Sequence, residues 1–256
     1  MFSNPLQDAG LFDGYLQINQ IAANGRNQFE ILENGQLLFS GTAPFYNPGI
    51  PIGGDVFRRL TLMDATNRPI LYTDYNAVEN LAASAVPMSW LFKGAKQVCR
   101  YSVLNTENQI VGRFYFEQTG IAKTKYVMEW RGRLIACYLK GAGKKEVVSF
   151  YDGETQIGQL TKPNAVVNNL DCYLLHFLDN SLDREIAAFF TIYYDFLYHN
   201  HSGEIVKKSR RSDVEYTFDR YNKMYNKNFI AENFGKEENE RVERFIKDAY
   251  KARKKR

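Results

Sequence analysis

Alternating apolar and polar residues fill most of the chain up to residue 178, in short segments separated by turn sequences. Asn34-Gly35 and Asp152-Gly153 each divide two such segments, and these dipeptides readily adopt the backbone angles of a tight hairpin turn. Alternation with a period of two is typical of strands that bury one face. The predicted strands are Gly14–Gln20, Gln28–Leu32, Gln36–Ser40, Val56–Met63, Pro69–Tyr75, Gln97–Asn105, Gln109–Gln118, Lys125–Trp130, Arg133–Lys140, Lys145–Tyr151, Thr155–Lys162 and Leu170–Leu178. About a dozen short strands joined by short turns indicate a barrel or a sandwich.

The pattern changes after residue 181. Ile186–Tyr198 contains only two polar residues, Thr191 and Asp195, and a helix that is apolar on every side must be buried on every side. A helix of this length spans ~20 Å, which is too short to cross a bilayer. We therefore predict a mainly β fold, a closed antiparallel barrel of about twelve strands that encloses a central apolar α-helix at about 182–199 and is followed by C-terminal helices.

The chain is more polar after this apolar segment. Asp213–Asn233 is predicted to form one helix and Glu237–Tyr250 a second, whose apolar residues share a single face. Such a face can dock on the barrel, on a partner protein or on a membrane surface, and the sequence leaves these alternatives open. The predicted organisation is a barrel with its central helix over 1–203 and a helical, basic extension over 204–256.

The formal charge of +4 is concentrated at the C-terminal end. Residues 236–256 hold nine Lys and Arg against five Asp and Glu, so the preceding part of the chain is neutral overall. A neutral body lacks the basic surface of a nucleic-acid-binding domain, and we expect no nucleic-acid partner. The basic segment is suited instead to an anionic phospholipid surface, where each Lys or Arg contributes about 1 kcal/mol.

The three cysteines, Cys99, Cys137 and Cys172, are far apart and lack the CxxC spacing of a zinc site. Their odd number does not suit a disulfide framework, so we predict reduced and mostly buried thiols. The N-terminal residues lack the basic and apolar regions of a signal peptide, and no apolar run approaches the ~18 residues of a membrane span. These features predict a cytoplasmic protein, with peripheral association at the membrane as an added expectation.

The polar residues carry no recognisable catalytic, metal or cofactor signature. The chain has three histidines, and their spacing supports neither a Ser-His-Asp nor a Cys-His arrangement. Thr191, Asp195 and His199 recur every four residues and form an internal polar stripe along the predicted central helix. This stripe could face a ligand or a proton path, or it could be hydrogen-bonded within the core. We predict a protein that is not an enzyme and that uses no metal and no cofactor.

The order of elements, about twelve strands and then one apolar helix, resembles the tubby C-terminal domain superfamily, which includes phospholipid scramblases and the plant LURP-one-related proteins. The stretch CYLLHFLDNSLDREIAAFFTIYYDFLY, Cys172–Tyr198, is similar to the closing strand, acidic linker and central helix of that family. Asp195 matches an acidic residue late in the helix of scramblase-like members. The resemblance covers residues 14–203 and implies a closed twelve-stranded barrel around a hydrophobic helix.

Two family features bear on a binding site. Scramblases carry a calcium-binding-like acidic segment before the helix, and its spacing is absent here, so calcium binding is not implied. Tubby proteins bind phosphoinositide head groups through paired cations on one strand face. This chain offers Lys123 with Lys125, or Arg131 with Arg133, and neither pair aligns with the family's pair. The full set of candidate ligand-binding cations is Lys123, Lys125, Arg131, Arg133, Lys140, Lys144 and Lys145.

These patterns predict a non-enzymatic binding module that associates peripherally with anionic phospholipid surfaces through basic residues. The alternative is a protein-interaction or self-association module that uses the C-terminal helices. The tail residues predicted to contact a membrane or a partner are Phe245, Ile246, Lys251, Arg253, Lys254, Lys255 and Arg256.

Overall fold

The computed structural model describes residues 14–24, 26–44, 59–75, 96–118, 124–166, 168, 170–178, 181–199 and 224–254. Within these ranges twelve strands form one closed antiparallel barrel, in which consecutive strands pair and β1 closes the ring against β12. The strands are β1 (Tyr15–Asn24), β2 (Arg26–Glu33), β3 (Gln36–Pro44), β4 (Thr61–Asp64), β5 (Pro69–Tyr75), β6 (Lys96–Leu104), β7 (Ile110–Gln118), β8 (Thr124–Trp130), β9 (Arg133–Ala142), β10 (Lys145–Asp152), β11 (Thr155–Pro163) and β12 (Cys172–Phe177). This arrangement confirms the predicted mainly β fold and its closed barrel of about twelve antiparallel strands.

Positive backbone angles mark two of the tight hairpins. Asn34 has a φ of 51° and Gly35 a φ of 73°, as predicted for the turn between β2 and β3. Arg131 (φ 47°) and Gly132 (φ 79°) connect β8 and β9 in the same way. The left-handed conformation is uncommon for a residue with a long side chain, so the hairpin holds Arg131 in a defined position.

The fourth strand is shorter than predicted. It begins at Thr61 rather than at Val56, and residues 56–58 lie outside the described part of the chain. The backbone N–H of Leu60 donates to the hydroxyl of Thr73 at 2.9 Å. The backbone N–H of Thr73 donates in turn to the Leu60 carbonyl at 3.0 Å, so Leu60 stays joined to β5 just before β4 begins.

The first helix, α1, spans Arg184–Tyr198, and every residue of Ile186–Phe196 is buried. Its N-cap position is Asp183, whose carboxylate does not bind the helix backbone. That carboxylate instead accepts the Trp130 indole N–H at 2.5 Å and lies 3.2 Å from the Arg131 guanidinium. The start of α1 is therefore tied to the β8–β9 hairpin.

Strands from separated parts of the barrel contact α1. The ring of Phe190 lies 5.7 Å from that of Phe114 in β7 and 5.4 Å from that of Phe150 in β10. Ile192 packs against the backbone of β3, where a Cβ on Gly41 would lie 2.2 Å from its Cδ1. These contacts belong to one apolar core that includes α1 and most of the strands, which we call the α1 core.

Two further helices, α2 (Phe229–Phe234) and α3 (Lys236–Lys254), meet at Gly235, which has a φ of 91°. They pack on the face of β12 that is opposite to α1, because Leu174 contacts these helices whereas Leu175 belongs to the α1 core. The second apolar core consists of Tyr15, Ala165, Cys172, Leu174, Phe229, Ile230, Val242, Phe245, Ile246 and Ala249.

The C-terminal helices agree in part with the prediction. The helix predicted at Glu237–Tyr250 is confirmed, and α3 extends it at both ends. The helix predicted at Asp213–Asn233 corresponds only to α2, since residues 213–223 lie outside the described ranges. The division of the chain at residue 203 stays a prediction.

Candidate functional site

Seven polar side chains meet where α1 ends, beside the β9–β10 hairpin. We call this group the α1 polar cluster, and its members are Glu146, Lys162, Asp171, Tyr173, Tyr194, Asp195 and His199. Glu146 in β10 lies directly opposite Lys162 in β11. Glu146 lies on the same side of β10 as core-facing Val148, and Lys162 lies on the same side of β11 as core-facing Leu160. The alternation of the strands therefore turns two charged side chains toward the core instead of toward solvent.

Asp195 is fully buried near the end of α1. The Tyr173 hydroxyl in β12 donates to its Oδ2 at 2.7 Å. Burial raises the pKa of Asp195 well above its usual value and nearby Asp171 raises it further, while the Tyr173 hydrogen bond and Lys162 act in the opposite direction. The environment therefore favours the protonated, uncharged form of Asp195.

The pKa of Glu146 is shifted in the opposite direction to that of Asp195. Burial alone would raise its pKa, but the charge of His199 and a hydrogen bond from it, together with Lys162 and Tyr194, lower the pKa to about 2. The Tyr194 hydroxyl donates to Glu146 Oε2 at 2.8 Å, and His199 Nε2 lies 3.0 Å from the same oxygen. Glu146 is therefore held as a carboxylate that joins β10 to the end of α1.

Lys162 and Asp171 form a buried ion pair at 2.9 Å between Nζ and Oδ1. Burial lowers the pKa of Lys162, but the charges of Asp171 and Glu146 outweigh this effect, so the pKa is raised overall. Both side chains are at most 4% exposed, so the pair is shielded from solvent and salt. Lys162 and Asp171 thus compensate each other within the cluster.

The predicted polar stripe is hydrogen-bonded along its whole length. The Thr191 hydroxyl donates to the carbonyl of Ala187 at 3.0 Å, and the His199 backbone N–H donates to the carbonyl of Asp195 at 2.7 Å. With the side-chain bonds to Tyr173 and Glu146, each member of the stripe has a partner in the protein. This geometry suits a structural role for the stripe.

Sequence reasoning missed the strand residues of the α1 polar cluster. Glu146 and Lys162 lie within the predicted strands Lys145–Tyr151 and Thr155–Lys162, but the strand prediction does not single them out. A usable signal was present, because Glu146 precedes Val148 and Phe150 at every second position. A charged residue that falls on the core-facing side of a strand, by alternation with apolar residues, is a candidate for burial.

Arg131 and Arg133 lie at the opposite end of the barrel, near the start of α1. Arg131 is 3.2 Å from Asp183, and its guanidinium lies 4.9 Å from the centre of the Trp130 ring. Arg133 pairs with Asp152 at 2.6 Å and donates to the carbonyl of Ser181 at 3.0 Å. Carboxylates therefore compensate both arginines, which hold hairpins to the start of α1.

Lys125 is also compensated by a neighbouring carboxylate. Its Nζ lies 3.2 Å from Glu117 Oε1 across the β7–β8 pair. Lys123 lies outside the described residues, so its side chain is not placed beside Lys125. Of the predicted pair Lys123 and Lys125, the structure therefore describes only Lys125.

The β9–β10 hairpin and α3 bring two of the predicted basic segments together. Lys144 Nζ lies 5.6 Å from the centre of the Tyr250 ring. Lys145 Nζ pairs with Glu243 Oε1 at 2.6 Å. These contacts place the hairpin against the second half of α3, where basic residues predominate.

We call the exposed cations at this junction the hairpin–helix patch, and its members are Lys144, Arg244, Lys247 and Lys251. The three helical members recur at intervals of three and four residues, so they share one face of α3. Lys251 binds Asp248 at 2.9 Å but keeps 72% of its side chain exposed. Among the described residues, the other three members have no carboxylate within ion-pair distance. Lys140, on the same hairpin, is half-buried.

The last predicted tail cations are only partly described. Arg253 and Lys254 belong to α3, but their side chains lie outside the described part of the structure. Lys255 and Arg256 lie outside the described residues altogether. The hairpin–helix patch is therefore defined without these four cations.

The apolar face of α3 is docked on the barrel. Phe245 and Ile246 are each 3% exposed and belong to the second apolar core. Of the alternatives that the sequence left open for this face, contact with the barrel is the one present here. Neither residue is exposed to a membrane or a partner while α3 is docked.

A buried polar contact accompanies this docking, and we call it the α3 seam. His176 Nε2 in β12 lies 2.7 Å from Glu238 Oε1 in α3, and both side chains are at most 3% exposed. Arg241 lies 3.5 Å from the other oxygen of Glu238 and donates to the Tyr15 hydroxyl at 2.6 Å. The ring of Phe234 lies 5.2 Å from that of His176. The seam thus fixes α3 to β12 and β1 through polar groups shielded from water.

The described residues contain no group of three or more His, Cys, Asp and Glu side chains arranged to hold a metal ion. Cys137 and Cys172 are buried free thiols, while the side chain of Cys99 lies outside the description. None of the helices in the described ranges is both long and apolar enough to span a membrane. The chain matches no protein-family model, and comparisons with curated proteins and with solved structures gave no match either.

Proposed function

We propose that this chain is a non-enzymatic binding module that associates peripherally with anionic phospholipid surfaces through the hairpin–helix patch. The observation that carries the proposal is the contact of Lys144 with Tyr250, which joins two basic segments far apart in sequence into one exposed surface. Each Lys or Arg held near an anionic membrane contributes about 1 kcal/mol, so four such cations suffice for reversible association.

The compensated cations contribute less to this surface. Arg131, Arg133 and Lys125 each lie within ion-pair distance of a carboxylate, so a lipid phosphate would have to compete with that partner. The two arginines also lie at the opposite end of the barrel from the hairpin–helix patch. We therefore propose one binding surface at the β9–β10 end and a structural role for the arginines.

The docked state of α3 defines the mode of contact. With Phe245 and Ile246 buried, α3 presents its cationic face and not its apolar face to a lipid surface. The proposed association is therefore electrostatic, and it weakens as salt screens the charges over a Debye length of about 10 Å at 0.1 M.

We also infer that α1 runs through the interior of the barrel, as in the tubby-like fold that the sequence resembles. Three observations support this placement. The segment Ile186–Phe196 is buried on all sides, its ring contacts reach strands as far apart as β7 and β10, and its two ends meet opposite ends of the barrel. The interior helix would make the barrel a rigid support for the hairpin and for α3.

Charge reversal tests the location of the binding surface. The double variant Lys144→Glu/Lys247→Glu is compared with Arg26→Glu/Arg68→Glu, which changes the net charge equally at exposed sites elsewhere on the barrel. Co-sedimentation with phosphatidylserine-containing vesicles at low salt should fall at least tenfold for the first variant and much less for the second. Equal losses would refute a localised site. Binding by neither variant nor wild type, with a stable dimer in solution, would favour self-association through the C-terminal helices.

A further inference from the structure

Three ionisable groups lie in the contact between α3 and the barrel. His176 comes from β12, whereas Glu238 and Arg241 come from α3. Glu238 and Arg241 compensate each other, so the group is electrically balanced only while His176 is neutral. A proton on His176 would leave one uncompensated positive charge in a space closed to water, which is unfavourable.

The other groups around His176 cannot stabilise that added charge. The phenol of Tyr15 in β1 stacks on the imidazole at 5.5 Å and already accepts from Arg241. Phe234, at the end of α2, covers another side of the ring, and Gln159 is the neighbour on β11. Within the described residues, Nδ1 of His176 has no hydrogen-bond partner. In this arrangement a second ring proton has no acceptor within hydrogen-bond distance.

The direction of the pKa shift of His176 agrees with this geometry. Burial lowers the pKa of His176, the hydrogen bond and charge of Glu238 raise it, and Arg241 lowers it, with a net shift below the usual value of 6.5. A histidine with a lowered pKa stabilises the docked state fully above pH 6.5, and this contribution is lost as the pH falls below that value.

We propose that the α3 seam is an acid-sensitive latch: a proton on His176 releases α2 and α3 from the barrel and uncovers the apolar face of α3. The released face carries Val242, Phe245, Ile246 and Ala249, so the chain gains an exposed amphipathic helix under mildly acidic conditions. This latch goes beyond the lipid-binding proposal and does not depend on it.

Hydrogen exchange of the full-length chain tests the latch. After correction for the intrinsic pH dependence of exchange, protection of amides in 236–254 should fall by up to about tenfold between pH 7.5 and pH 5.5, the largest factor that one histidine of undocked pKa 6.5 can give. Peptides from β10 and β11 serve as the internal reference and should keep their protection. Unchanged protection of α3 at pH 5.5 would overturn the proposal.

The chain contains three histidines, so single variants can assign the response. His176→Gln keeps a donor for Glu238 but takes no proton, and it should abolish the loss of α3 protection at pH 5.5. His199→Gln, at the end of α1, is the matched control and should retain that loss. A response that persists in His176→Gln would overturn the role of His176.

A second variant keeps the test decisive if His176→Gln does not dock α3. Arg241→Gln removes the cation that opposes protonation, so a charged His176 can pair with Glu238 in the seam. The ratio of α3 protection at pH 7.5 to that at pH 5.5 should then fall close to one. An undiminished ratio in Arg241→Gln would contradict the latch.

Discussion

The barrel holds α1 and α3 in different ways. α1 is buried on every side from Ile186 to Phe196, and it shares a single apolar core with the strands. α3 buries one face only, and that contact includes the ionisable groups of the α3 seam. A helix that is enclosed on every side separates only when the strands around it are disrupted, whereas a one-sided contact can open locally. We therefore expect α1 to belong to the cooperative core and α3 to be separable from it.

Removing a ring from α1 should have the largest effect. Phe190 is fully buried among aromatic rings of the barrel. Phe190→Ala should lower the free energy of unfolding by about 3–5 kcal/mol, because it leaves a cavity that the strands cannot fill. Urea denaturation followed by circular dichroism measures this loss. A loss below about 1 kcal/mol would show that α1 is not part of the cooperative core.

The carboxylate that joins β10 to α1 should have the next largest effect. Because the pKa of Glu146 is lowered from 4.5 to about 2, its stabilisation is present above pH 4.5 and is lost as the pH falls toward 2. Glu146→Gln should therefore lower the free energy of unfolding by roughly 3 kcal/mol at pH 7, by the linkage of 1.36 kcal/mol per pKa unit. Denaturation at several pH values checks this, and an equal deficit at pH 7 and near pH 2 would contradict it.

The equivalent change in α3 should act locally. Phe245→Ala removes a ring from the second apolar core, so protection of the α3 amides from hydrogen exchange should fall at least about tenfold. The free energy of unfolding of the barrel should change by less than about 1 kcal/mol. Comparison with Phe190→Ala is the control, because both variants remove the same side chain. A global loss as large as that of Phe190→Ala would end the distinction between the two helices.

The smallest effect is expected at the acid inside the α1 polar cluster. Because the pKa of Asp195 is raised, ionisation of the unfolded chain destabilises the fold increasingly as the pH rises above 3.8. Asp195→Asn keeps an acceptor for the Tyr173 hydroxyl and cannot ionise, so it should be slightly more stable than wild type at pH 7. Denaturation at pH 4 and pH 7 checks this, since the advantage should shrink at pH 4. A destabilised Asn variant at pH 7 would indicate that the ionised form is required.

The sequence predicts the repeating parts of this fold better than its long-range contacts. Alternation and turn dipeptides such as Asn34-Gly35 are local signals, and so is the apolar run of α1. The pairing of Arg131 with Asp183 joins residues 52 positions apart, and the contact of Lys144 with Tyr250 joins residues 106 positions apart. Such contacts depend on which hairpins share an end of the barrel, and residue spacing does not encode that.

The α1 polar cluster also combines residues that local sequence signals predict with residues that only long-range contacts bring in. Two of its members, Asp195 and His199, follow from spacing, because residues four apart share a helix face. Lys162 and Asp171 belong to the cluster only because β11 and β12 present them beside the end of α1. The α3 seam was missed for a similar reason. In the sequence His176 is a single polar residue in an apolar strand, and only the docked α3 brings Glu238 beside it.

We propose that the exposed cations of a docked α3 and its neighbouring hairpin bind an anionic lipid surface. The most direct measurement is the partition of the wild-type chain onto phosphatidylcholine vesicles with and without phosphatidylserine, from about 50 to about 500 mM salt at neutral pH. We expect binding to the phosphatidylserine vesicles that falls steeply as salt increases, and little binding to phosphatidylcholine alone. Equal binding to both vesicles, or none to phosphatidylserine vesicles at the lowest salt, would contradict it.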